Sequence, residues 1–255
     1  MDLQAFRIEI TDSVAYITLN QPDRGNPFDA DFCRELNWLS AECADNPDIC
    51  VTVMNASGPN FSFGGDLREF LQAPDTLPSR FRQMTSDLHM AVARFAKSDE
   101  PLIIETNGLV CGGAVGLVAA SDFVFSAPDS RFYAAFGGIA MCGDTGITFH
   151  LPRRVGTRKA TEFLLCNQMW SAEEALDYGL INAVLPAEDL RDHCKNIAAS
   201  LTSTPPHVLG RMRRALLNSS AQSLEAQLEQ EAMGMVDCAK SEHAVRAMKK
   251  ILNKS

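Results

Sequence analysis

Apolar positions near the N-terminus alternate with polar ones, and further along the chain they recur every three or four residues. The alternation in Phe6–Ile10 and Val14–Asn20 predicts two strands joined by a Thr-Asp-Ser turn. The spacing of Phe32, Leu36 and Leu39 predicts an amphipathic helix. Over the first half, the pattern predicts strands at 6–10, 14–20, 50–55 and 102–106, and helices at about 29–45 and 78–98.

Strands and helices continue to alternate after residue 107. A strand from Gly108 leads into Gly112-Gly113, a helix of small apolar residues follows, and another strand is expected at 122–126. Alternating strand–helix–strand units predict an α/β fold with a largely parallel sheet.

The C-terminal part is predicted to be helical. Thr157 is a candidate cap for one helix, and a capping box of Ser171 and Glu174 begins the next, which Gly179 ends. Three more helices are expected over 187–255, around the break at Pro205-Pro206. We therefore predict an α/β core at 1–190 and a C-terminal helical region at 191–255 that forms an oligomer interface.

Composition narrows the class of protein. The 255 residues are 46% hydrophobic, which is enough for one large core, and the net charge of −9 argues against nucleic acid or an anionic membrane as the main partner. Eight scattered Cys without a C-x-x-C pair indicate a reducing compartment and no metal site. The N-terminus shows no secretory signal, and the longest nearly apolar stretch is too short to span a bilayer. We expect a cytoplasmic protein.

Two glycine pairs are candidates for backbone chemistry. Gly112-Gly113 precedes a helix, where free N–H groups and the positive end of the helix dipole favour an anion or a developing oxyanion. Gly64-Gly65 lies in FSFGGDL after a predicted strand. Each pair alone is equally compatible with a tight turn or close helix–sheet packing.

Five segments in order resemble the crotonase (enoyl-CoA hydratase/isomerase) superfamily over nearly the whole chain. They are ITLNQP at 17–22, FSFGGDL at 61–67, NGLVCGGAVG at 107–116, LPRRVG at 151–156 and SAEEALDYGLINAV at 171–184. The resemblance implies a spiral of repeated ββα units with a C-terminal helical trimerisation region, a homotrimer or dimer of trimers, and an acyl-CoA substrate. It implies no metal or redox cofactor, because CoA arrives as part of the substrate.

The resemblance also implies site residues. The backbone N–H groups of Gly65 and Gly113 would form an oxyanion hole for the thioester carbonyl. CoA would lie along the loop near Arg24 and along a strand at Gly64–Leu67. The substrate-binding residues expected on this basis are Arg24, Phe63, Gly64, Asp66, Leu67 and Phe136.

The chain departs from the hydratases of this superfamily at their two catalytic glutamates. Gly116 stands at one position and Phe136 at the other. Neither side chain transfers a proton, so hydration by the usual two-glutamate mechanism is not expected. The sequence is nearer to the isomerase and 4-chlorobenzoyl-CoA dehalogenase branches.

Asp144 in MCGDTGITFH is the nearest alternative acid/base. The crotonase-type isomerases of ring-epoxide phenylacetyl-CoA have an aspartate there, and the dehalogenase has its nucleophile there. An apolar pocket built in part by Phe136, Ile139 and Met141 would suit a carboxyl group that exchanges protons. The structural alternative is that Asp144 caps the following helix.

His89 is the second candidate, since the dehalogenase carries its general-base histidine at a similar place. A lone histidine on an amphipathic helix is also compatible with packing or surface exposure. Glu105 lies in an otherwise apolar strand, where it is either structural or reaches the pocket. The remaining histidines have no partner pattern and are interpreted as surface or packing residues: His150, His193, His207 and His243.

Three functions follow. The leading hypothesis is an enoyl-CoA isomerase that moves a proton through a thioester enolate with Asp144 as acid/base. The second is a hydratase-like, dehalogenase or hydrolase enzyme, with Asp144 as nucleophile and His89 as the base that activates water. The third is a homologue that binds CoA thioesters without catalysis.

Overall fold

The computed structural model describes residues 1–253. The described strands are β1 (Phe6–Thr11), β2 (Val14–Leu19), β3 (Val51–Ala56), β4 (Leu102–Thr106), β5 (Leu109–Cys111), β6 (Phe123–Ser126), β7 (Arg131–Tyr133), β8 (Met169–Ser171) and β9 (Ala183–Val184). The described α-helices are α1 (Ala30–Asp45), α2 (Leu67–Phe70), α3 (Leu77–Lys97), α4 (Gly113–Ala120), α5 (Ile147–Val155), α6 (Thr157–Leu165), α7 (Ala172–Asp177), α8 (Ala187–Leu201), α9 (Pro206–Asn218), α10 (Leu224–Ala239) and α11 (Glu242–Leu252).

The larger sheet has the strand order β1-β2-β3-β4-β6-β9, and all its pairs are parallel except β1–β2. The main core lies on one face, where α1 and α3 pack against each other and contribute buried residues such as Leu36, Leu39 and Leu88. On the other face, α8 packs against Val14, Val53 and Ile103. The predicted α/β architecture with a largely parallel sheet is confirmed.

The smaller sheet has the order β5-β7-β8 and brings the two glycine pairs together. An isolated parallel bridge joins Ser62 to Val110, and the Ser62 N–H donates to the Leu109 carbonyl at 2.9 Å. The FSFGGDL loop therefore runs beside the strand that leads into Gly112-Gly113. Both β7 and β8 are short, and the sequence pattern did not predict them.

Side-chain caps begin five of the described α-helices, namely α1, α2, α7, α10 and α11. Asp29 caps α1 by accepting from the Phe32 N–H at 2.9 Å, and the predicted capping box of Ser171 and Glu174 is present. Thr157 is not a cap: α6 begins at this residue, and Gly156, with φ +78°, is its N-cap. Gly156 joins α5 to α6 with a positive φ, a backbone conformation that residues with a Cβ rarely adopt.

Residues 187–253 contain four α-helices instead of the predicted three. Ser241 accepts from the His243 N–H at 3.1 Å and so begins α11 separately from α10. The predicted division between residues 190 and 191 stays a prediction, and α8 spans it. No helix within residues 1–253 is long and apolar enough to cross a membrane.

Candidate active site

A cavity of about 570 Å³ lies between α3, the FSFGGDL loop, the start of α4 and the segment that precedes α5. We call it the main cavity. Its wall is mostly apolar, with six aromatic side chains, and Asp144 is the only carboxylate that lines it among residues 1–253. The lining aromatic residues are Phe28, Phe63, Phe70, Phe81, Tyr133 and Phe136.

Gly65 and Gly113 both border the main cavity. Within residues 1–253, neither backbone N–H donates a hydrogen bond, and Gly113 is the first residue of α4, at the positive end of the helix. A Cβ on Gly113 would lie 2.7 Å from the Thr145 hydroxyl, and one on Gly65 would lie 2.8 Å from the Phe70 ring. Both positions are therefore packed too closely for a side chain, and both residues line the cavity with N–H groups that the described chain does not use.

The FSFGGDL loop is fixed by the buried Ser62 side chain. Its hydroxyl donates to the Asn26 carbonyl at 2.7 Å and accepts from the Gly64 N–H at 3.0 Å. The Gly64 carbonyl in turn accepts from the Phe28 N–H at 2.8 Å. Gly64 has φ +78°, and a Cβ there would approach the Cys111 carbonyl to 2.9 Å. These contacts hold the Gly65 N–H in place before any ligand binds.

Asp144 and His89 lie together at the same cavity. The His89 Nε2 is 2.5 Å from the Asp144 Oδ1, and their side chains are 55% and 33% exposed. An ionised carboxylate only accepts hydrogen bonds, so the histidine donates from Nε2 in this pair. The interpretation of Asp144 as a helix cap is wrong, because α5 begins at Ile147 with Gly146 as its N-cap.

The backbone beside Asp144 is held in an unusual conformation. Thr145 is fully buried and has φ +57°, a region that β-branched residues rarely adopt. Its hydroxyl has no hydrogen-bond partner in the described chain. Space for it exists because Gly113 and Gly116 on α4 have no side chains. Close packing of α4 against residues 144–145 thus determines where the Asp144 carboxylate projects.

Gly116 and Phe136, the two positions at which the resemblance to the hydratases implied a glutamate, have no group that transfers a proton. A Cβ on Gly116 would lie 2.9 Å from both the Cβ and the carbonyl oxygen of Thr145, and 3.0 Å from the Asp144 carbonyl. Gly116 therefore has no room for a side chain. Phe136 is half-buried and lines the main cavity with an apolar ring. The cavity has no carboxylate at either position.

The sequence model of the enoyl-CoA hydratase/isomerase family matches residues 9–255. The chain belongs to this family. It is 29% identical to 4-chlorobenzoyl coenzyme A dehalogenase-2 of Arthrobacter sp. over 230 residues, which are 90% of this chain and 83% of the relative. It is 30% identical to 1,2-epoxyphenylacetyl-CoA isomerase of Escherichia coli over 226 residues, 86% of this chain and 84% of the relative.

Solved structures of the enoyl-CoA hydratase/isomerase family have the same fold. The crystal structure of an enoyl-CoA hydratase from Polaromonas sp. superposes with a TM-score of 0.92 at 23% identity, covering 98% of each chain. The crotonase fold and superfamily expected from the five motifs are confirmed. The roles of individual site residues stay predictions.

Arg24, the family's expected CoA contact, is held by carboxylates. Its guanidinium lies 2.9 Å from Asp29 and 2.6 Å from Asp66. Asp66 also caps α2 by accepting from the Glu69 N–H at 3.0 Å, so Leu67 begins a short helix and the expected strand at Gly64–Leu67 is absent. A phosphate that binds Arg24 must compete with these carboxylates.

The electrostatics of this ion pair follow from its hydrogen bonds. The hydrogen bond to Asp66 raises the pKa of Arg24 above its ordinary value. Partial burial alone would raise the pKa of Asp66, but the hydrogen bonds from the Glu69 N–H and from Arg24 lower it. Both groups therefore stay charged at neutral pH, and the pair fixes the loop beneath Phe63.

Two cysteines that line the main cavity have no recognisable signal in the sequence. Cys33 and Cys111 line the main cavity from α1 and β5. Burial raises the pKa of both thiols, that of Cys111 to about 11, so they are neutral contacts at physiological pH. Tyr133 also lines the cavity, and its hydroxyl accepts from the Asn167 side chain at 2.8 Å. The spacing of these residues follows no period, because they come from different elements.

Glu105 does not reach the main cavity. It lies on the face of β4 that is covered by α8, and one of its carboxylate oxygens is buried without a partner within residues 1–253. Burial raises the pKa of Glu105 above its ordinary value of 4.5, and the charges of Arg191 and Lys195 lower it only in part. The remaining histidines are packing or surface residues, and His193 packs edge-on against Phe125 at 4.5 Å.

Glu105→Gln is expected to stabilise the protein at alkaline pH. A raised pKa means that the folded state binds more protons than the unfolded state, so stability falls as pH rises from about 4.5 through the pKa of the folded state. The glutamine variant lacks this loss. Melting temperatures of both proteins at pH 5 and pH 8 should differ more at pH 8. An equal difference at both pH values would show that Glu105 does not titrate differently in the two states.

Proposed function

We propose that the protein is an acyl-CoA isomerase that transfers a proton through a thioester enolate, with Asp144 as its acid/base. The observation that carries this proposal is the hydrogen-bonded pair of Asp144 and His89 at a cavity with no other carboxylate among the described residues. The similarity to 1,2-epoxyphenylacetyl-CoA isomerase supports it. The substrate is an acyl-CoA thioester, and the reaction needs no metal or redox cofactor.

The proposed reaction has two proton transfers. Asp144 takes a proton from one carbon of the acyl chain, and the negative charge develops on the thioester oxygen. The N–H groups of Gly65 and Gly113 donate to that oxygen, a contact worth about 2.7–4 kcal/mol per donor in comparable sites. Asp144 then returns the proton to a different carbon of the conjugated system. The mostly apolar wall of the cavity offers few hydrogen-bond partners to water near the enolate.

His89 orients the carboxylate in this reaction. Its hydrogen bond occupies Oδ1 of Asp144 and leaves Oδ2 for the substrate proton. Because more than half of the His89 side chain is exposed, it also links the carboxylate to solvent protons. His89 is therefore a positioning residue in the isomerase and a route for proton exchange.

A second candidate is hydrolysis through a covalent intermediate. In this reaction Asp144 attacks an electrophilic carbon of the acyl group and displaces a leaving group, and His89 takes a proton from the water that cleaves the resulting ester. The direct contact of His89 with Asp144 favours it, because this mechanism needs both groups at one place. The similarity to 4-chlorobenzoyl coenzyme A dehalogenase-2 supports it as well. A third function, binding of CoA thioesters without catalysis, does not use the pair.

Two measurements on the same protein separate the candidates. Incubation with a panel of enoyl- and aryl-acyl-CoAs in D₂O should give deuterium at carbon or a migrated double bond if the isomerase proposal is right. Acid quenching followed by intact-mass spectrometry should show no acyl adduct on the protein. An ester on Asp144 without exchange would overturn the isomerase in favour of hydrolysis. Thioester binding with neither exchange nor adduct would leave only the non-catalytic homologue.

His89→Gln distinguishes the two catalytic roles of the histidine. The glutamine amide still donates to Asp144 but cannot accept a proton. For the isomerase, kcat is expected to fall by about tenfold or less, since one orienting hydrogen bond is kept. For the hydrolytic enzyme, the loss should approach the 10²–10⁴-fold of a general base, and the ester should accumulate. Steady-state rates measure the loss of kcat, and intact-mass spectrometry measures the accumulated ester. His207→Gln is the control variant.

We also propose that the chain acts as a homotrimer or a dimer of trimers. The C-terminal helices α9, α10 and α11 expose large apolar side chains, including Leu216, Leu224, Met235 and Met248. An apolar surface of this kind is typical of a protein–protein interface.

A further inference from the structure

A second cavity of about 480 Å³ lies on the α8 side of the larger sheet. It shares no lining residue with the main cavity. Its polar residues come from four adjacent strands and from α8. The lining residues are Arg7, Ile8, Glu9, Tyr16, Thr18, Asn55, Ala56, Ser57, Glu105 and Arg191.

The register of the sheet explains why these residues meet. Arg7 pairs with Thr18, and Thr18 pairs with Asn55. Glu105 lies one position beyond the Met54–Ile104 pair, which continues the same row onto β4. We call Arg7, Thr18, Asn55 and Glu105 the polar row. On the parallel strands β2, β3 and β4, the residues two positions earlier are Tyr16, Val53 and Ile103. These residues pack in the cluster that α8 covers, so the polar row borders the covered part of this face.

Several polar side chains around this cavity have no hydrogen-bond partner among the described residues, although Glu9 and Ser57 do have one. Within residues 1–253, the side chains of the polar row and of Arg191 make no hydrogen bond or ion pair with one another or with any other residue. Asn55 is only 4% exposed, and one oxygen of Glu105 is buried. Buried polar groups in folded proteins are normally hydrogen-bonded. Such a cluster therefore indicates a site for a polar ligand.

The chemistry of the cluster narrows the ligand. Arg7 and Arg191 offer guanidinium groups, which bind phosphate oxygens in a bidentate manner. The Asn55 amide and the Thr18 hydroxyl can both donate and accept. Glu105, deeper in the cavity, suits a hydroxyl group that donates to it. The cavity volume of about 480 Å³ is larger than a single inorganic phosphate ion would fill.

We propose that this second cavity binds a small phosphomonoester of a polyol, with the phosphate between Arg7 and Arg191 and a hydroxyl group toward Glu105. The site is independent of the acyl-CoA chemistry proposed above, since no residue is shared. Glu105 provides the buried acceptor of this site, which a small side chain at the same position would remove.

Isothermal titration calorimetry with glycerol 3-phosphate tests the proposal. The wild-type protein should bind it saturably, and about tenfold more tightly than inorganic phosphate, because the hydroxyl contact to Glu105 adds a charge-assisted hydrogen bond. Arg191→Gln should weaken binding by about tenfold or more, and Glu105→Gln should bring the affinity close to that of inorganic phosphate. Arg158→Gln, an exposed arginine on α6, is the matched control and should bind as the wild type does.

Three results would overturn the proposal. One is the absence of saturation at about 10 mM glycerol 3-phosphate, because a site with a millimolar Kd would be nearly saturated at that concentration. Another is equal affinity for inorganic phosphate, which would exclude the hydroxyl contact. The third is binding that Arg191→Gln leaves unchanged. If Glu105→Gln does not fold, Arg7→Gln at the exposed edge of the sheet provides the second variant, with the same expected loss as Arg191→Gln.

Discussion

Asp144→Asn is expected to lower kcat for proton transfer by about 10²–10⁴-fold, the usual contribution of a general acid/base. Asparagine has the same shape and keeps an oxygen that accepts from His89, so the geometry of the pair is preserved. It removes the group that accepts the substrate proton, and no other carboxylate within residues 1–253 lines the main cavity to replace it. The affinity for the thioester should change little, because the oxyanion donors are backbone groups.

The measurement is solvent deuterium exchange into the best acyl-CoA of the panel, together with an independent binding assay. Asp75→Asn is a suitable control, since Asp75 is exposed and does not line the cavity. A variant that keeps wild-type exchange would assign proton transfer to another group. A variant that loses binding along with exchange would mean that Asp144 holds the substrate instead of its proton.

Gly116→Glu is expected to unfold or strongly destabilise the protein without creating a hydratase. The first side-chain atom alone would lie 2.9 Å from the Thr145 carbonyl oxygen, and a backbone atom cannot rotate away. Overpacking of this kind costs about 1–3 kcal/mol, and a buried carboxylate without a partner adds a similar or larger amount. We expect a loss of about 3–5 kcal/mol in the free energy of unfolding.

Chemical denaturation of the wild type, Gly116→Ala and Gly116→Glu separates the two contributions. The alanine variant tests the contact alone and should lose about 1–3 kcal/mol. Hydration of a short enoyl-CoA should stay undetectable in both variants. A stable glutamate variant that hydrates the substrate would show that the segment at residues 144–145 can move away from α4, contrary to the packing described here.

The sequence predicted those features that depend on neighbouring residues. The alternation at β1 and β2, the capping box at Ser171 and the two glycine pairs are all local, and each is present. The five family motifs contributed further information, because they occur in the same order along the chain as in the family. Together, the local patterns and the order of the motifs were sufficient to predict the fold and to place the two glycine pairs at the main cavity.

Features that depend on tertiary contacts were not predictable in this way. His89 and Asp144 are 55 positions apart, and only the packing of α3 beside the segment before α5 brings them to 2.5 Å. The carboxylates around Arg24 come from two separate segments, since Asp29 precedes α1 whereas Asp66 and Glu69 belong to the start of α2. The break between α10 and α11 depends on the single cap residue Ser241. One serine is a weak signal for a break when the helical spacing of apolar residues continues on both sides of it.

Among the described residues, only one carboxylate lines the main cavity, and this has a stereochemical consequence. If Asp144 both removes and returns the proton, it reaches both carbon atoms from one side of the planar enolate. The transfer is then suprafacial, and part of the label that leaves one carbon returns to the other within the same turnover. Such internal return competes with the proton exchange that His89 allows. The fraction of label that is transferred within one turnover therefore measures how well the site isolates the proton from solvent.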